Sequence, residues 1–219
     1  MGDKDILDLI LFIVPLLFSL SFHEFAHAWS AYMLGDGTAK EQGRMTMNPV
    51  AHIDPVGTLI FPILGFFTGL LFGWAKPVPV NPLRFTRTIS MRKGMMITAA
   101  AGPASNLLLV LILTVVMTLV LASGLDVREN LTLYKFFAVG VKLNFILAFF
   151  NLLPIPPLDG SRVLGGILPR RYVRHLAFLE QYGFIILLVL FISGGFSLLL
   201  WPVSKLADLI ILLPLRLAA

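Results

Sequence analysis

The sequence predicts an all-α polytopic membrane protein, organised as a single transmembrane domain over residues 1–219. Hydrophobic residues make up 58% of the chain and charged residues 13%, and the mean hydropathy of +0.89 is well above that of an ordinary soluble domain. Apolar runs long enough to cross a bilayer as helices recur along the chain, at about 6–34, 95–123, 133–153, 177–200 and 201–218. We therefore expect five to six transmembrane helices, with a re-entrant or extended segment near residues 56–85.

The first predicted helix begins near Ile6 and ends at about Leu34, because Gly35 and its neighbours supply a stop signal. Acidic residues precede this helix, and a basic loop, residues 35–54, follows it. Basic loops favour the cytoplasmic side of a membrane. We therefore expect a multi-pass protein of the plasma or inner membrane, with its N-terminus outside and this loop in the cytoplasm.

The next apolar stretch, residues 56–74, contains one proline and several glycines and has basic residues before and after it. Both of its ends therefore look cytoplasmic, which a re-entrant hairpin satisfies better than a single crossing. A straight crossing stays open as the alternative. The stretch that follows, 75–82, alternates prolines in a way that no helix interior permits, so it is predicted to be extended.

The remaining apolar runs are predicted to alternate across the membrane. Residues 95–123 run outward and 133–153 return inward, so the loop between them lies outside. The last two runs, 177–200 and 201–218, are expected to form a hairpin that returns Arg216 to the cytoplasmic side.

The sharpest functional signal is the pattern His23-Glu24-x-x-His27 in the first helix. Residues four apart share one face of a helix, so both imidazoles can reach one metal ion while Glu24 points at the same site. An ionisable residue within a span costs roughly 2.5–3.5 kcal/mol on insertion scales, and metal coordination would offset that cost. Because the chain has no cysteine, any metal must be held by His, Asp or Glu.

A hydrolytic zinc site needs a third protein ligand. The candidates near the same depth are Asp159, His52, Asp54 and Asp36. Asp159 is favoured because three prolines shortly before it must break the incoming helix, which allows the carboxylate to point sideways into a cavity. Its alternative role is to cap the helix that follows Gly160. His52 and Asp54 are expected to act mainly as loop and turn residues.

These motifs resemble those of the site-2 proteases, the intramembrane zinc metalloproteases of regulated intramembrane proteolysis. The similarity is greatest to the compact bacterial members without PDZ or CBS domains. His23 to His27 is similar to the first motif of the family, and Asn151 to Gly160 is similar to the second, Asn-x-x-Pro-x-x-x-Leu-Asp-Gly. Between them, 101–106 resembles a Gly-Pro helix start, and 48–55 and 73–82 resemble the compact subgroup.

The resemblance implies one Zn²⁺ per chain, held by His23, His27 and Asp159. Glu24 would act as general base toward a water molecule, and Asn151 would bind the oxyanion or position the substrate. The implied activity is that of an endopeptidase that cuts peptide bonds in or near transmembrane segments of membrane proteins, within the lipid bilayer and from the cytoplasmic side.

The proline-rich segment is the candidate substrate-binding element. An extended segment can pair with an unwound substrate through main-chain hydrogen bonds, although a plain connecting loop is an equal alternative. The predicted substrate-binding residues are Lys76, Pro77, Val78, Pro79, Val80 and Asn81. Gly102, followed by Pro103, is expected to start or tighten a helix rather than to touch substrate, although small residues also permit close helix packing beside the active site.

Other functions are less well supported by the sequence. Nucleic acid is not an expected partner, because the Lys and Arg residues behind the net charge of +5 fall in short loops between apolar runs. A transporter that moves metal or protons through the same residues would normally show an inverted repeat, which is not evident. A silent relative that only binds a membrane partner would not need Glu24. Homo-oligomerisation and a regulatory membrane partner stay open.

Overall fold

The computed structural model describes residues 3–68, 73, 75–169 and 172–217, and these residues form helices joined by turns and irregular segments. In chain order the helices are α1 (Asp3–Met33), α2 (Thr38–Glu41), α3 (Phe61–Thr68), α4 (Met91–Ala122), α5 (Leu131–Asn151), α6 (Asp159–Ile167), α7 (Val173–Ile192) and α8 (Gly195–Leu217). A π-helical turn, Pro55–Ile60, leads directly into α3.

Four of the described helices, α1, α4, α5 and α8, are long and apolar enough to cross a membrane. Two shorter apolar helices, Pro55–Phe66 and Phe178–Ile192, accompany them. The predicted class, an all-α polytopic membrane protein, is therefore confirmed.

The centre of the bundle is α4, which packs against α1, α5, α6 and α8. A buried cluster joins three of these helices: Val110 on α4, Val141 and Phe145 on α5, and Ala207 on α8. Ala207 and Val141 are completely buried, so the helices approach each other closely at this level.

The last helix runs antiparallel to α5. The ring of Phe196, at the start of α8, lies 5.3 Å from that of Phe150, at the end of α5, and Ala207 packs beside Val141 in the middle of α5. Arg216 therefore lies toward the opposite end of the bundle from the end of α5. This differs from the expected arrangement, in which Arg216 and the end of α5 lie on the same side; the side of the membrane that each faces stays a prediction.

The turn before α8 also differs from its predicted place. It lies at residues 193–194 rather than at 200–201, because Gly194 adopts a positive φ of 73° that ends α7. Leu187 on α7 then packs with Leu158 and Phe196. A Cβ atom on Gly183 would lie 2.1 Å from the Pro156 carbonyl oxygen, so α7 packs closely against the loop that follows α5.

The two ends of the segment between His52 and Lys76 lie next to each other. The Lys76 amide donates a hydrogen bond of 3.0 Å to the His52 carbonyl oxygen, and Gly73 lies against the backbone of Gly57. Between these ends, the ring of Phe66 on α3 lies 5.9 Å from that of Phe12, about three helical turns before His23 on α1. The two ends of the segment therefore lie side by side, as a re-entrant hairpin requires, and re-entry into the membrane stays a prediction; residues 69–72 and Trp74 lie outside the described part.

Two ion pairs join the long helices. Asp8 on α1 accepts from Lys135 on α5 at 2.9 Å, and Lys142 in the middle of α5 donates to Asp208 on α8 at 2.8 Å. Pairing offsets the high cost of an isolated charge within a membrane span.

Candidate metal centre

Three side chains from two distant parts of the chain meet at one point. His23 Nε2 lies 3.0 Å from Asp159 Oδ2, although these residues are 136 positions apart. His27 Nε2 lies 3.0 Å from His23 Nε2 and 3.2 Å from Asp159 Oδ2. All three residues are buried, with exposed fractions of 5–8%. The structure thus brings together the three residues that the sequence suggests as metal ligands.

The two histidines are placed by the helical repeat of α1. Their rings stand edge to face, with centroids 4.6 Å apart, as expected for residues one turn apart on the same helix face. The segment before them is a continuous helix from Asp3, despite Pro15.

Asp159 is placed by the break that follows α5. It is the first residue of α6, and Leu158 is the N-cap, so the carboxylate does not cap the helix and is directed to the histidines. A Cβ atom on Gly160 would lie 2.1 Å from the Leu152 carbonyl oxygen. Only glycine therefore permits α6 to begin this close to the end of α5. Arg92 on α4 secures the far end of α6 by donating to the carbonyl oxygens of Gly165 and Leu168.

Both histidines use their other ring nitrogen as a donor. His23 Nδ1 donates to Asn106 Oδ1 at 2.6 Å, and His27 Nδ1 donates to the Thr98 carbonyl oxygen at 2.7 Å. In the neutral imidazole the hydrogen is then on Nδ1, and Nε2 presents a lone pair.

This donor set fits a zinc ion. Two Nε2 lone pairs and one carboxylate oxygen repel one another at 3.0–3.2 Å unless a cation lies among them. Ligand atoms about 2.0–2.1 Å from one tetrahedral zinc are roughly 3.3 Å apart, close to the observed spacing. Two histidines and one carboxylate also leave a fourth position open, as in catalytic rather than structural zinc sites.

Glu24 is buried beside its two histidine neighbours in α1. Its Oε2 accepts a 2.8 Å hydrogen bond from the backbone amide of Val78, a residue of the predicted substrate-binding segment. This contact places the proline-rich segment directly against the candidate general base.

The proline-rich segment is anchored at three further points. Arg44 Nη2 donates to the Lys76 and Pro77 carbonyl oxygens at 2.8 and 3.3 Å. The Lys76 amide donates to His52, and the Asn81 amide donates to Asp36 Oδ2 at 2.6 Å. The described residues from 75 to 81 form neither helix nor strand. Lys76 and Pro77 are exposed, Val78 is buried, and Pro79, Val80 and Asn81 are half-buried. Because Pro77 and Pro79 lack an N–H group, the alternate positions can only accept hydrogen bonds through their carbonyl oxygens.

Asn151 lies at the end of α5, half-buried. Its Nδ2 donates to the Leu147 carbonyl oxygen at 3.0 Å, one turn back on the same helix. Among the described residues, the hydrogen bonds do not connect Asn151 to the three candidate ligands. An oxyanion role for it therefore stays a prediction.

The other candidate ligands have structural partners instead. His52 Nε2 donates to the Thr46 carbonyl oxygen at 2.8 Å. Asp54 caps the π-helical turn by accepting from the amides of Val56 and Gly57. Asp36 accepts from the amides of two later residues, 38 and 81.

Three residues of α4 face the histidines: Thr98, Gly102 and Asn106. Sequence reasoning raised packing beside the active site for Gly102, but it did not link Thr98 or Asn106 to the histidines. A Cβ atom on Gly102 would lie 2.5 Å from His27 Nε2 and 2.6 Å from His23 Cε1. Gly102 is therefore inside α4, against both imidazoles: it does not start a helix, and its position fits the alternative of close helix packing beside the active site. The available signal was that these small and polar residues recur every four positions, which places them on one face of a helix.

Comparison with known proteins agrees with this geometry. Peptidase family M50 matches residues 121–191, a stretch that includes Asn151 and Asp159. The Bacillus subtilis (strain 168) protein YwhC, named as a zinc metalloprotease, is 41% identical over 192 residues, which cover 87% of this chain and 84% of YwhC. No solved structure matches the chain significantly.

More distant relatives carry similar names. Rip2 of Mycolicibacterium smegmatis is 32% identical over 197 residues, covering 88% of this chain and 72% of Rip2. MJ0611 of Methanocaldococcus jannaschii is 33% identical over 102 residues, covering 47% of this chain and 49% of MJ0611. Both are named as zinc metalloproteases. The chain therefore belongs to peptidase family M50, the site-2 protease family of zinc metalloproteases.

Proposed function

We propose that this protein is an intramembrane endopeptidase that hydrolyses peptide bonds in or near transmembrane segments of other membrane proteins. His23, His27 and Asp159 would hold one zinc ion. The observation that carries the proposal is the convergence of two Nε2 atoms and one carboxylate oxygen, all buried, with both Nδ1 hydrogens engaged elsewhere.

The chemistry follows from the residues around this point. Bound zinc would lower the pKa of a water molecule and polarise the scissile carbonyl group. Glu24, with Oε2 held by Val78, would take the proton from that water on its other oxygen and deliver it to the leaving amide nitrogen. Asn151 would donate to the developing oxyanion after turning from the Leu147 carbonyl.

An apolar cavity supports a membrane-embedded substrate. It measures about 300 Å³ and lies between α1, α5 and the turn that joins α7 to α8. Its lining includes Leu20, within one helical turn of His23, and Phe150, next to Asn151. Such a cavity would receive apolar side chains of a transmembrane segment close to the metal centre.

The proline-rich segment would hold the unwound part of the substrate, through residues 76–81. The contact between Val78 and Glu24 supports this role, since any peptide paired with the segment lies near the general base. In the cell membrane, the site would open toward the cytoplasm, as the basic loops 35–54 and 76–93 indicate.

The proposal is tested by metal analysis and cleavage assays on detergent-purified protein, comparing wild type with His23→Ala and Glu24→Gln. We expect about one zinc per wild-type chain, loss of zinc and cleavage in His23→Ala, and retained zinc without cleavage in Glu24→Gln. A wild-type protein that binds no zinc after purification without chelators would refute the proposal. Uptake of zinc into vesicles that contain the Glu24→Gln variant would instead support a transporter.

A further inference from the structure

The Nδ1 atom of His23 lies at one end of a buried chain of hydrogen bonds that crosses three helices. Its partner, Asn106 on α4, is completely buried, and Asn144 on α5 and Ser19 on α1 are nearly so, at 2% and 1% exposed. Fully buried amides within a membrane protein are costly unless every polar atom is bonded. Their presence beside a candidate metal ligand therefore calls for a role.

In this hydrogen-bonded network each residue donates to the next, from Asn106 through Asn144 and Ser19 to Pro15. Asn106 Nδ2 donates to Asn144 Oδ1 at 2.8 Å and to the Ser19 carbonyl oxygen at 3.3 Å. Asn144 Nδ2 donates to Ser19 Oγ and to the Gly140 carbonyl oxygen, both at 2.8 Å. Ser19 Oγ in turn donates to the Pro15 carbonyl oxygen at 2.7 Å.

This arrangement fixes the orientation of both amides. Each Nδ2 has two hydrogens, and both are used on acceptors, so Asn106 can offer only Oδ1 to His23. Rotating the Asn106 amide would place its hydrogens against His23 Nδ1 and would leave two buried donors facing the wrong way. His23 is therefore held with its hydrogen on Nδ1 and its Nε2 lone pair toward Asp159.

The second histidine is held differently. His27 Nδ1 donates to the backbone carbonyl of Thr98, which depends on the path of α4 and on no side chain. His23 alone relies on side chains for its orientation, and those side chains lie on two other helices. The two ligands thus offer a direct comparison within one site.

We propose that Asn106 and Asn144 are positioning residues of the metal centre: Asn106 orients His23 directly, and Asn144 acts through Asn106. The inference rests on the proposed zinc site. Mutating a residue that hydrogen-bonds to a metal-bound histidine typically lowers metal affinity by about 10–100-fold. The network therefore sets the affinity for zinc, in addition to joining α1, α4 and α5.

The test uses the full-length chain in detergent, with Co²⁺ as a spectroscopic probe and Zn²⁺ in competition. The variants are Asn106→Leu, Asn106→Asp and Asn144→Leu. Thr114→Val is the matched control, because Thr114 Oγ1 on α4 donates only along its own helix, to the Val110 carbonyl oxygen at 2.7 Å. Thermal unfolding of the metal-free proteins reports on stability separately.

We expect Asn106→Leu to weaken zinc binding by about 10–100-fold and Asn144→Leu by about tenfold, with altered Co²⁺ absorption bands. Asn106→Asp should stay within about threefold of wild type, because a carboxylate oxygen can accept from His23 Nδ1. Thr114→Val should bind zinc as wild type does. If Asn106→Leu does not fold, Asn144→Leu and Asn106→Asp carry the comparison.

Two results would overturn the inference while leaving the metal centre intact. One is wild-type zinc affinity in both leucine variants; the other is an equal loss in Thr114→Val, which would indicate general destabilisation. If wild-type protein binds neither Co²⁺ nor Zn²⁺, the proposed function fails first and the inference fails with it.

Discussion

Gly102→Ala should disable the enzyme without unfolding it. The added Cβ atom would lie 2.5 Å from His27 Nε2 and Cε1 and 2.6 Å from His23 Cε1, whereas ordinary contacts between heavy atoms are about 3.5 Å. The imidazoles must therefore move by about 1 Å. Neither can do so freely, because the Nδ1 atoms are bonded to Asn106 and Thr98.

A displacement of about 1 Å at a catalytic centre costs on the order of 100-fold in rate. We therefore expect kcat/KM for a transmembrane peptide to fall at least about 100-fold, which corresponds to about 2.7 kcal/mol of transition-state stabilisation. Alanine favours a helix by up to about 1 kcal/mol over glycine, so the thermal midpoint of the metal-free protein should not fall sharply.

Gly140→Ala on α5 is the control for this prediction. Its Cβ atom would meet only the far end of the Leu113 side chain, at 3.1 Å, and should leave cleavage unchanged. Cleavage within about threefold of wild type in Gly102→Ala, with normal zinc content, would refute the reasoning, because the site would then tolerate the displacement.

Further predictions concern the third ligand and the charged residues of the spans. Asp159→Ala should lose zinc and cleavage together, and metal analysis that shows full occupancy in this variant would contradict the assignment. Asp54→Ala should keep zinc but lose about 0.5–2 kcal/mol of stability, because its capping hydrogen bonds are removed. Lys142→Met should lower the thermal midpoint in detergent, because it leaves Asp208 unpaired within a span, at a cost of up to about 3 kcal/mol. The double variant Lys142→Met/Asp208→Leu should recover that loss, and a midpoint for it below that of Lys142→Met would argue against the pairing.

The parts of the site that depend on local geometry could be predicted from the sequence. His23 and His27 share a helix face at any four-residue spacing, and the prolines before Asp159 had to end α5. Basic residues at both ends of 56–74 likewise predicted that its two ends lie together, as the bond between Lys76 and His52 shows. These inferences needed only helix periodicity, proline stereochemistry and loop charge.

The parts that depend on packing between helices could not be predicted. Asn144 has no sequence feature that pairs it with Asn106, because their contact depends on the depth and rotation of α4 and α5. The direction of α8 was missed for a related reason: residues 182–203 contain no charged residue, and hydropathy alone does not locate a turn within such a run. The positive φ of Gly194 decided it.

The separation of 136 residues between His23 and Asp159 also means that the proposed metal site can be completed only late in the synthesis of the chain. At about 5–20 residues per second, translation reaches Asp159 roughly 7 to 27 seconds after His23. In that interval α1 would carry both imidazoles and Glu24, but the proposed ligand set would lack its carboxylate. The proposed zinc site would therefore form only after α4 and α5 have been made and the first residue of α6 has been added.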